Sequence, residues 1–249
     1  MGRGWVVVVT GAGSGIGRAV AEQLVAAGET VVAIGRRAAP LASLSAGGPD
    51  RGVVVPMAMD VTEPTAPARL RGLVRDRFAR LDGLVNCAGL ARFAALESAD
   101  LDDLDRMLAV NLRAPAALIQ ALLPALVEAR GSVVNVTSVG GVLTMPGRSL
   151  YGASKAAINS LTRSLARELA PGVRVNAVVP GPVDTPMYDD LGLGPEDTES
   201  LRTGLLRNTP MARFGRPDEV AKWVCALLDP HLSGWVTGAL LTVDGGRSA

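Results

Sequence analysis

Tyr151 and Lys155 stand four residues apart at the head of an apolar-periodic run that continues through Ile158, Leu161, Leu165 and Leu169. That spacing predicts a helix carrying both side chains on one face. A free phenol titrates near ~10 and is a poor acid or base at neutral pH. One cation about 4 Å away, at an effective dielectric of roughly 20, is worth up to ~4 kcal/mol. This equals about 3 pKa units, enough to bring a tyrosine near ~7, where it serves as an acid for carbonyl reduction or a base for alcohol oxidation. Scarcity sharpens the pair: the chain has one His, His231, two Tyr, Tyr151 and Tyr188, and Lys only at 155 and 222 among 25 basic residues. Arginine stays protonated, whereas lysine can move protons and bond to a ribose. The same spacing also fits an ordinary amphipathic helix with a surface Tyr and Lys, so the rest of the chain has to decide.

The elements that would position such a pair can be read in order. Trp5 to Thr10 is a β-branched run of the kind buried on both faces in a parallel sheet. It is followed by Gly11-Ala12-Gly13-Ser14-Gly15-Ile16-Gly17 and a helical pattern from Ala19 to Ala27. Strand, glycine turn and helix form an anion-binding arrangement, because glycines admit a pyrophosphate close to the backbone and the helix N-terminus offers unpaired N–H groups. A glycine turn of this kind can also be no more than a tight turn, and it is the flanking strand and helix that raise it. Thr30 to Ile34 is a second strand. An acidic residue at its end would bond a ribose 2′-hydroxyl, but this chain has Gly35-Arg36-Arg37, which leaves room and positive charge for a phosphate. Both arginines could also sit solvated at the start of the next helix.

Further along, Pro40 to Gly48 reads as a short helix and a turn, Val53 to Met57 as a third strand ending in Asp60-Val61, and Ala66 to Arg80 as a helix. Asp60 could cap a turn near Thr62. Leu81 to Val85 forms a fourth strand leading into Asn86-Cys87-Ala88-Gly89, and Leu101 to Val127 is a long helical stretch interrupted by Asn111, locally unfavourable in a helix. Without further context Asn111 is an interhelical hydrogen bond, and Pro115 fits a bend. Ser138 follows a fifth strand, Ser132 to Thr137, and a hydroxyl at the carboxyl end of a parallel strand faces the ligand crevice. A serine there is also an ordinary turn former. Val173 to Val179 is a sixth strand, residues 187 to 211 lack strong periodicity and read as a mobile substrate lid or a solvated acidic insertion, a helix runs to Leu228, and Ala239 to Val243 is a final strand. Strands alternating with helices argue for one doubly wound α/β domain over residues 1–249.

Thr10-Gly11-x-x-x-Gly15-x-Gly17, Asn86-Cys87-Ala88-Gly89, Asn111, Ser138 and Tyr151-x-x-x-Lys155, in that order and spacing, resemble the short-chain dehydrogenase/reductase family, in particular its 3-oxoacyl-carrier-protein-reductase-like members. The likeness spans essentially the whole chain. It implies a Rossmann-type, seven-stranded, mostly parallel sheet in the order 3-2-1-4-5-6-7 with helices on both faces. It also implies a catalytic set of Asn111, Ser138, Tyr151 and Lys155, in which Asn111 kinks its helix and holds a water leading to Lys155. The implied dinucleotide contacts are Gly11, Ser14, Gly15, Ile16, Gly17, Arg36, Arg37, Asp60, Val61, Asn86, Ala88, Gly89, Tyr151, Lys155, Pro180, Gly181, Val183 and Thr185. There, Asp60 would bond the adenine amino group, Val61 contact the ring and Asn86 stabilise the central strand. NADP(H) is preferred over NAD(H), although Ser14 stands where many NADP-dependent relatives carry a second basic residue. The long helix and the Tyr151 helix are the family's dimerising pair, and the C-terminal end packs on a neighbouring subunit, so a homotetramer is implied.

The reaction expected is hydride exchange between a nicotinamide and a carbonyl or secondary alcohol. Leu90, Phe93, Leu143, Met145, Leu150, Met187 and Tyr188 are the pocket-facing candidates, and their apolar character suggests an apolar ketone or a 3-oxoacyl-type substrate. The absence of a basic lid argues against free phosphorylated or highly acidic substrates. A dinucleotide-binding redox sensor without turnover and a non-redox lyase or epimerase are the alternatives on the same fold. Net charge +1 and 3% aromatics give no footprint for nucleic acid, and no apolar run suggests a membrane span. Cys87 and Cys225 lie far apart, without metal-ligand spacing, which fits a reducing cytoplasm. Cys87 reads as a small apolar filler.

Overall fold

The computed structural model describes residues 4–45 and 52–249, so the end of the turn expected up to Gly48 lies outside the described residues. Seven strands form one sheet: β1 (Val6–Thr10), β2 (Thr30–Gly35), β3 (Val54–Ala58), β4 (Gly83–Asn86), β5 (Ser132–Val136), β6 (Arg174–Pro180) and β7 (Leu240–Val243). Their spatial order is β3-β2-β1-β4-β5-β6-β7, and every pairing among them is parallel. The helices are α1 (Gly15–Ala26), α2 (Ala38–Ala42), α3 (Ala66–Arg77), α4 (Leu101–Leu108), α5 (Ala114–Ala129), α6 (Ser149–Leu169), α7 (Pro195–Arg207), α8 (Pro217–Leu228) and α9 (Pro230–Ser233).

Strand β1 shows why the sheet takes helices on both faces. Its side chains alternate sides, and both sides are apolar: Val6 and Val8 pack with Leu70, Leu118 and Leu122, whereas Val7 and Val9 pack with Val20, Leu24 and Val224. Thus α3, α5 and α6 cover one face and α1, α2 and α8 the other. Each fully buried valine contributes roughly 1.5–3 kcal/mol through removal from water. A right-handed crossover between parallel strands then leaves every strand-to-helix turn on the carboxyl edge of the sheet, which is where a ligand crevice forms.

Two expectations change. The sequence alone suggests no run of transmembrane length, yet α4, a π-helical turn at Ala109–Arg113 and α5 make one continuous helix, Leu101–Ala129, long and apolar enough to cross a membrane by length and composition. In this fold its Leu118, Ile119, Leu122 and Leu126 belong to the core against the sheet. The segment expected to lack regular structure, residues 187–211, contains α7. Its leucines, Leu201, Leu205 and the exposed Leu206, are too few to mark a helical period, because a short stripe of Leu201 and Leu205 suffices to seat it. The excursion from 184 to 214 is closed at its base by a parallel bridge between Val183 and Gly215, with Asp184 N–H donating to Gly215 C=O at 2.9 Å and Gly215 N–H to Pro182 C=O at 2.9 Å.

Candidate active site

Along the carboxyl edge runs a cleft of about 600 Å³, with the glycine turn after β1 at one end and Tyr151 towards the other. At the glycine end the backbone sets the shape. Gly17, in the first turn of α1, lies so close under the loop that a Cβ there would sit 2.4 Å from the Gly11 carbonyl oxygen. Ser14 caps α1 without a side-chain hydrogen bond, and the first turn of the helix holds no acidic residue, so its N–H groups and a free hydroxyl face the cleft. Beneath, the Thr10 hydroxyl accepts from the N–H groups of Cys87 and Ala88 at 3.0 Å each and donates to Val85 C=O, tying the ends of β1 and β4 together.

The cleft gathers Gly11, Ser14, Gly15, Ile16, Gly17, Arg36, Arg37, Asp60, Val61, Ala88, Gly89, Tyr151, Lys155, Pro180, Gly181, Val183 and Thr185 on its wall. Asn86 is the exception among the expected dinucleotide contacts. It is buried behind the wall, where its Nδ2 donates to Asn135 Oδ1 at 2.9 Å, and Asn135 Nδ2 in turn donates to Thr162 Oγ1 at 2.9 Å. This chain links β4, β5 and α6, which is the strand-stabilising task. Asp60 caps the turn at Thr62 and lines the cleft. Its Oδ1 accepts from Thr62 N–H at 2.9 Å and Thr62 Oγ1 at 2.7 Å, leaving Oδ2 for the cleft. Burial opposes its charge, but those bonds and nearby Arg36 outweigh it and hold the carboxyl below its usual range. Arg36 and Arg37 are exposed at the end of β2. A strand-end glycine loop, a free helix N-terminus and two guanidinium groups fit a dinucleotide with its phosphates at this end.

At the other end, Tyr151 and Lys155 lie side by side on the buried face of α6, exposed by only 6% and 4%. What brings α6 there is a contact between backbones. The turn Val139–Gly141 after Ser138 presses directly on α6, and a Cβ on Gly141 would sit 2.6 Å from the Lys155 carbonyl carbon. Gly141 is therefore a positioning residue that the reading of the sequence missed. Its signal, a Gly-Gly pair immediately after Ser138, was available. The Ser138 hydroxyl accepts from Gly140 N–H at 3.0 Å and stands beside the Tyr151 phenol, near enough to favour its ionised form.

The electrostatics differ from the sequence expectation. Burial raises the Tyr151 phenol above its ordinary value, and Ser138 and Arg148 pull it back only in part. Lys155 does not set it. The Nζ lies 5.9 Å from the Tyr151 ring centroid, and burial lowers the lysine itself to about 8. Spacing placed the two groups on one face but could not show that desolvation would weaken the ammonium that was meant to act on the phenol. Cys87 is half-buried in the cleft wall, and desolvation pushes its thiol up to about 12, so it stays protonated.

Asn111 lies in the π-helical turn and outside the cleft wall. Its Oδ1 accepts from Leu90 N–H at 3.0 Å, and its Nδ2 donates to Leu90 C=O at 2.9 Å and Ser154 Oγ at 3.0 Å. The side chain thus spends itself on direct hydrogen bonds that pin the loop after β4 to α6. Both Asn111 Oδ1 and Lys155 Nζ approach Gly89, within 3.7 and 3.6 Å of where a Cβ would stand.

Of the pocket-facing candidates, Leu90, Phe93, Met145, Met187 and Tyr188 line the cleft. Leu143 and Leu150 do not; Leu150 packs instead in the small core beneath it with Ala91 and Met107. Arg148 and Arg247 line the cleft, and neither was anticipated, because nothing in their local sequence marks them. The segment from 187 to 211, expected as a mobile substrate lid or a solvated acidic insertion, is tied to its surroundings by arginines. Arg202 on α7 bonds Asp184 at 3.2 Å and lies over the rings of Tyr188 and Phe214 at 5.3 and 4.6 Å, while Arg92 pairs with Asp190 at 2.9 Å.

Comparison with known proteins agrees with this geometry. Residues 11–248 match the family described as enoyl-(acyl carrier protein) reductase. The chain is 38% identical over 248 residues to the 3-oxoacyl-[acyl-carrier-protein] reductase of Thermotoga maritima, covering 98% of this chain and 97% of that one. It is 39% identical over 256 residues to the (3R)-3-hydroxyacyl-CoA dehydrogenase of Canis lupus familiaris, covering 98% and 96%. An uncharacterized short-chain type dehydrogenase/reductase of Sinorhizobium fredii is 40% identical over 248 residues, and the match spans 98% of this chain but 43% of that longer protein. Among solved structures, the ligand-free aldohexose dehydrogenase of Thermoplasma acidophilum superposes with a TM-score of 0.84 at 32% identity, covering 99% of this chain and 94% of its own. A cofactor-bound Caenorhabditis elegans short-chain dehydrogenase/reductase of unknown function gives 0.88 at 29%, covering 98% and 95%.

Proposed function

The chain belongs to the short-chain dehydrogenase/reductase family, and from that premise we propose that it reduces a ketone with Tyr151 as the proton donor. The bound nicotinamide dinucleotide supplies the hydride, or takes it back in the reverse direction. Ser138 holds the substrate oxygen from the side facing Tyr151, an oxyanion-type role. Tyr151 passes its proton to that oxygen as charge develops there. Lys155 grips the ribose and returns the proton towards solvent past Gly89 and Asn111, whose direct bonds keep this exit in shape.

The observation that carries the reading is the burial of Tyr151 and Lys155 side by side in the same cleft that begins at the glycine turn. The phenol raised by burial stays protonated through neutral pH, which suits donation to a carbonyl. Oxidation needs the phenolate, so its rate should climb as pH rises towards and beyond the ordinary phenol value of ~10. NADP(H) is the favoured dinucleotide. Gly35 leaves space at the end of β2, and Arg36 and Arg37 offer charge there for a 2′-phosphate in place of a repelling carboxylate.

The substrate is a 3-oxoacyl-type or similarly flanked ketone. Phe93, Met145, Met187 and Tyr188 give the cleft an apolar side, and two of the relatives are named for chemistry at the third carbon of an acyl chain. Residues 1–249 act as one domain, with the stretch from 187 to 211 over the substrate. Self-association to a tetramer is supported by apolar side chains held in solvent near the C-terminus: Trp223, Leu232 and Trp235 are 50%, 72% and 100% exposed. The test is an absorbance screen at the reduced-nicotinamide band, with both dinucleotides and a panel of ketones. NADPH-dependent consumption with a 3-oxoacyl-type ketone is expected; no consumption with either dinucleotide on any carbonyl would reject the proposal.

A further inference from the structure

The cleft holds two guanidinium groups for which the proposed reduction gives no task. Arg148 is the residue before α6, three positions ahead of Tyr151, and is half-buried. It lies over the Phe93 ring at 5.6 Å, and Phe93 meets the Tyr151 ring edge-on at 5.3 Å. Arg247, from the C-terminal segment, lines the same cleft and is held by its Nη1 donating to the carbonyls of Asn208 at 3.1 Å and Leu205 at 3.3 Å.

Among the described residues no carboxylate pairs with either arginine. The acids nearby are already engaged: Asp190 with Arg92 at 2.9 Å and Asp184 with Arg202 at 3.2 Å. Burial and the charge of Arg247 both disfavour the Arg148 cation, and the Tyr188 and Tyr151 phenols offset them only in part. Two like charges brought together in a partly dry cleft, each without a counter-acid, are an arrangement that an incoming anion would relieve. Guanidinium is also the side chain best matched to a planar or tetrahedral oxyanion.

We infer that Arg148 and Arg247 form an oxyanion subsite, so that the substrate is a short ketone carrying a carboxylate, phosphonate or sulfonate head close to its carbonyl. Phe93 sets the separation: the Arg148 guanidinium lies 5.6 Å from its ring and the Tyr151 ring 5.3 Å from it, so one short molecule can reach both Arg148 and the proton donor. A carrier-bound thioester puts its nearest phosphate many more bonds away, so the free acid is the better fit. The inference rests on the proposed reduction and narrows its substrate. It also reverses the expectation that acidic substrates are disfavoured, which looked for basic residues in the lid, whereas these stand beside Tyr151 and at the C-terminus.

The test compares each short oxo acid with its neutral methyl ester in the dinucleotide-loaded enzyme, with carboxylate, phosphonate and sulfonate heads in separate arms. Wild type should prefer at least one anion over its neutral partner by ~10-fold or more in kcat/KM, chiefly through KM. In Arg148→Gln that ratio should fall to near one, with partial recovery in Arg148→Lys; Arg247→Gln should act in the same direction. A second readout is independent of turnover: butanoate or propylphosphonate should raise the melting temperature of dinucleotide-loaded wild type but not of Arg148→Gln. Equal use of acid and ester by wild type, or equal loss of both in Arg148→Gln, overturns the inference while leaving the reductase reading intact. Anion stabilisation that depends on Arg148, in a protein that turns over no ketone, would support the subsite and reject the reductase reading.

Discussion

The two ends of the cleft are built from different materials. At the glycine end the wall is backbone: the turn from β1 into α1, the ends of β2 and β4, and a threonine hydroxyl that bonds two main-chain N–H groups. At the Tyr151 end the wall is side chains brought from separate parts of the chain: Arg148 lies over Phe93, Phe93 meets Tyr151 edge-on, Arg247 and Tyr188 line the same stretch, and Tyr188 is backed by Phe214 and Arg202. A backbone wall serves one ligand geometry and tolerates almost no change, because there is nothing in it to move. A side-chain wall can be retuned one residue at a time, and this is where specificity is set.

The contrast can be broken at either end. The largest effect is expected at the glycine end from Gly17→Ala, whose added Cβ would lie 2.4 Å from the Gly11 carbonyl oxygen. Dinucleotide affinity should drop by ~1,000-fold or more with the far-UV circular dichroism unchanged, corresponding to the loss of two or more charge-assisted hydrogen bonds. Affinity within a few-fold of wild type would show that this wall yields after all.

Next comes Lys155→Met, which separates activity from stability. Turnover should fall by roughly 1,000-fold. The folded-state pKa of Lys155 is lowered from 10.5 to about 8, so keeping the buried ammonium charged opposes folding. That opposition is fully present below about 8, where both folded and unfolded states are protonated, and fades as pH rises to 10.5. The variant should therefore be more stable than wild type at neutral pH, by roughly 3 kcal/mol, with the gain shrinking above pH 8 in denaturant titrations. A variant less stable at neutral pH would mean that Lys155 is held by favourable contacts rather than against desolvation.

Smaller again is the dinucleotide switch. Arg36→Glu or Arg37→Glu should shift the NADPH-to-NADH preference by ~10- to 100-fold towards NADH, mostly in KM, since one guanidinium–phosphate contact is worth about 1.5–3 kcal/mol. An unchanged ratio would put both arginines in solvent. The least effect belongs to Arg202→Met, which removes the ion pair to Asp184 and the stacking on Tyr188 and Phe214. KM for the ketone should rise by roughly 3- to 10-fold with kcat little altered, as expected for loosening a lid rather than disturbing the reacting groups.

The same contrast explains what could be read from the amino-acid sequence. Val6 to Val9 and the glycines after them encode strand, turn and helix within a dozen consecutive residues, and the wall they form follows from that local pattern, whereas the strand order came from the family resemblance. Tyr151 and Lys155 were legible for the same reason, since four residues of helix fix their relation. Their proton affinities were not, because burial comes from Phe93, far off in sequence, and from Met145 and the turn at Gly141, whose fold back onto the helix no local pattern marks. Asn86 was expected on the wall and lies behind it, a difference of one strand face. Arg148 and Arg247 were invisible for want of any pattern: one is a lone arginine between Gly147 and Ser149, the other sits two residues from the C-terminus. Helix α7 escaped notice because three leucines at the end of an acidic segment carry little periodicity.

The central claim is that Tyr151, kept protonated by burial, delivers the proton to the ketone while others hold the dinucleotide. Tyr151→Phe removes one oxygen atom and leaves the ring packed on Phe93. With a ketone that wild type reduces, its turnover at neutral pH should fall by about 1,000-fold or more, while dinucleotide affinity, measured by fluorescence titration, stays within about 3-fold. Turnover within about 10-fold of wild type, at unaltered dinucleotide affinity, would contradict the account.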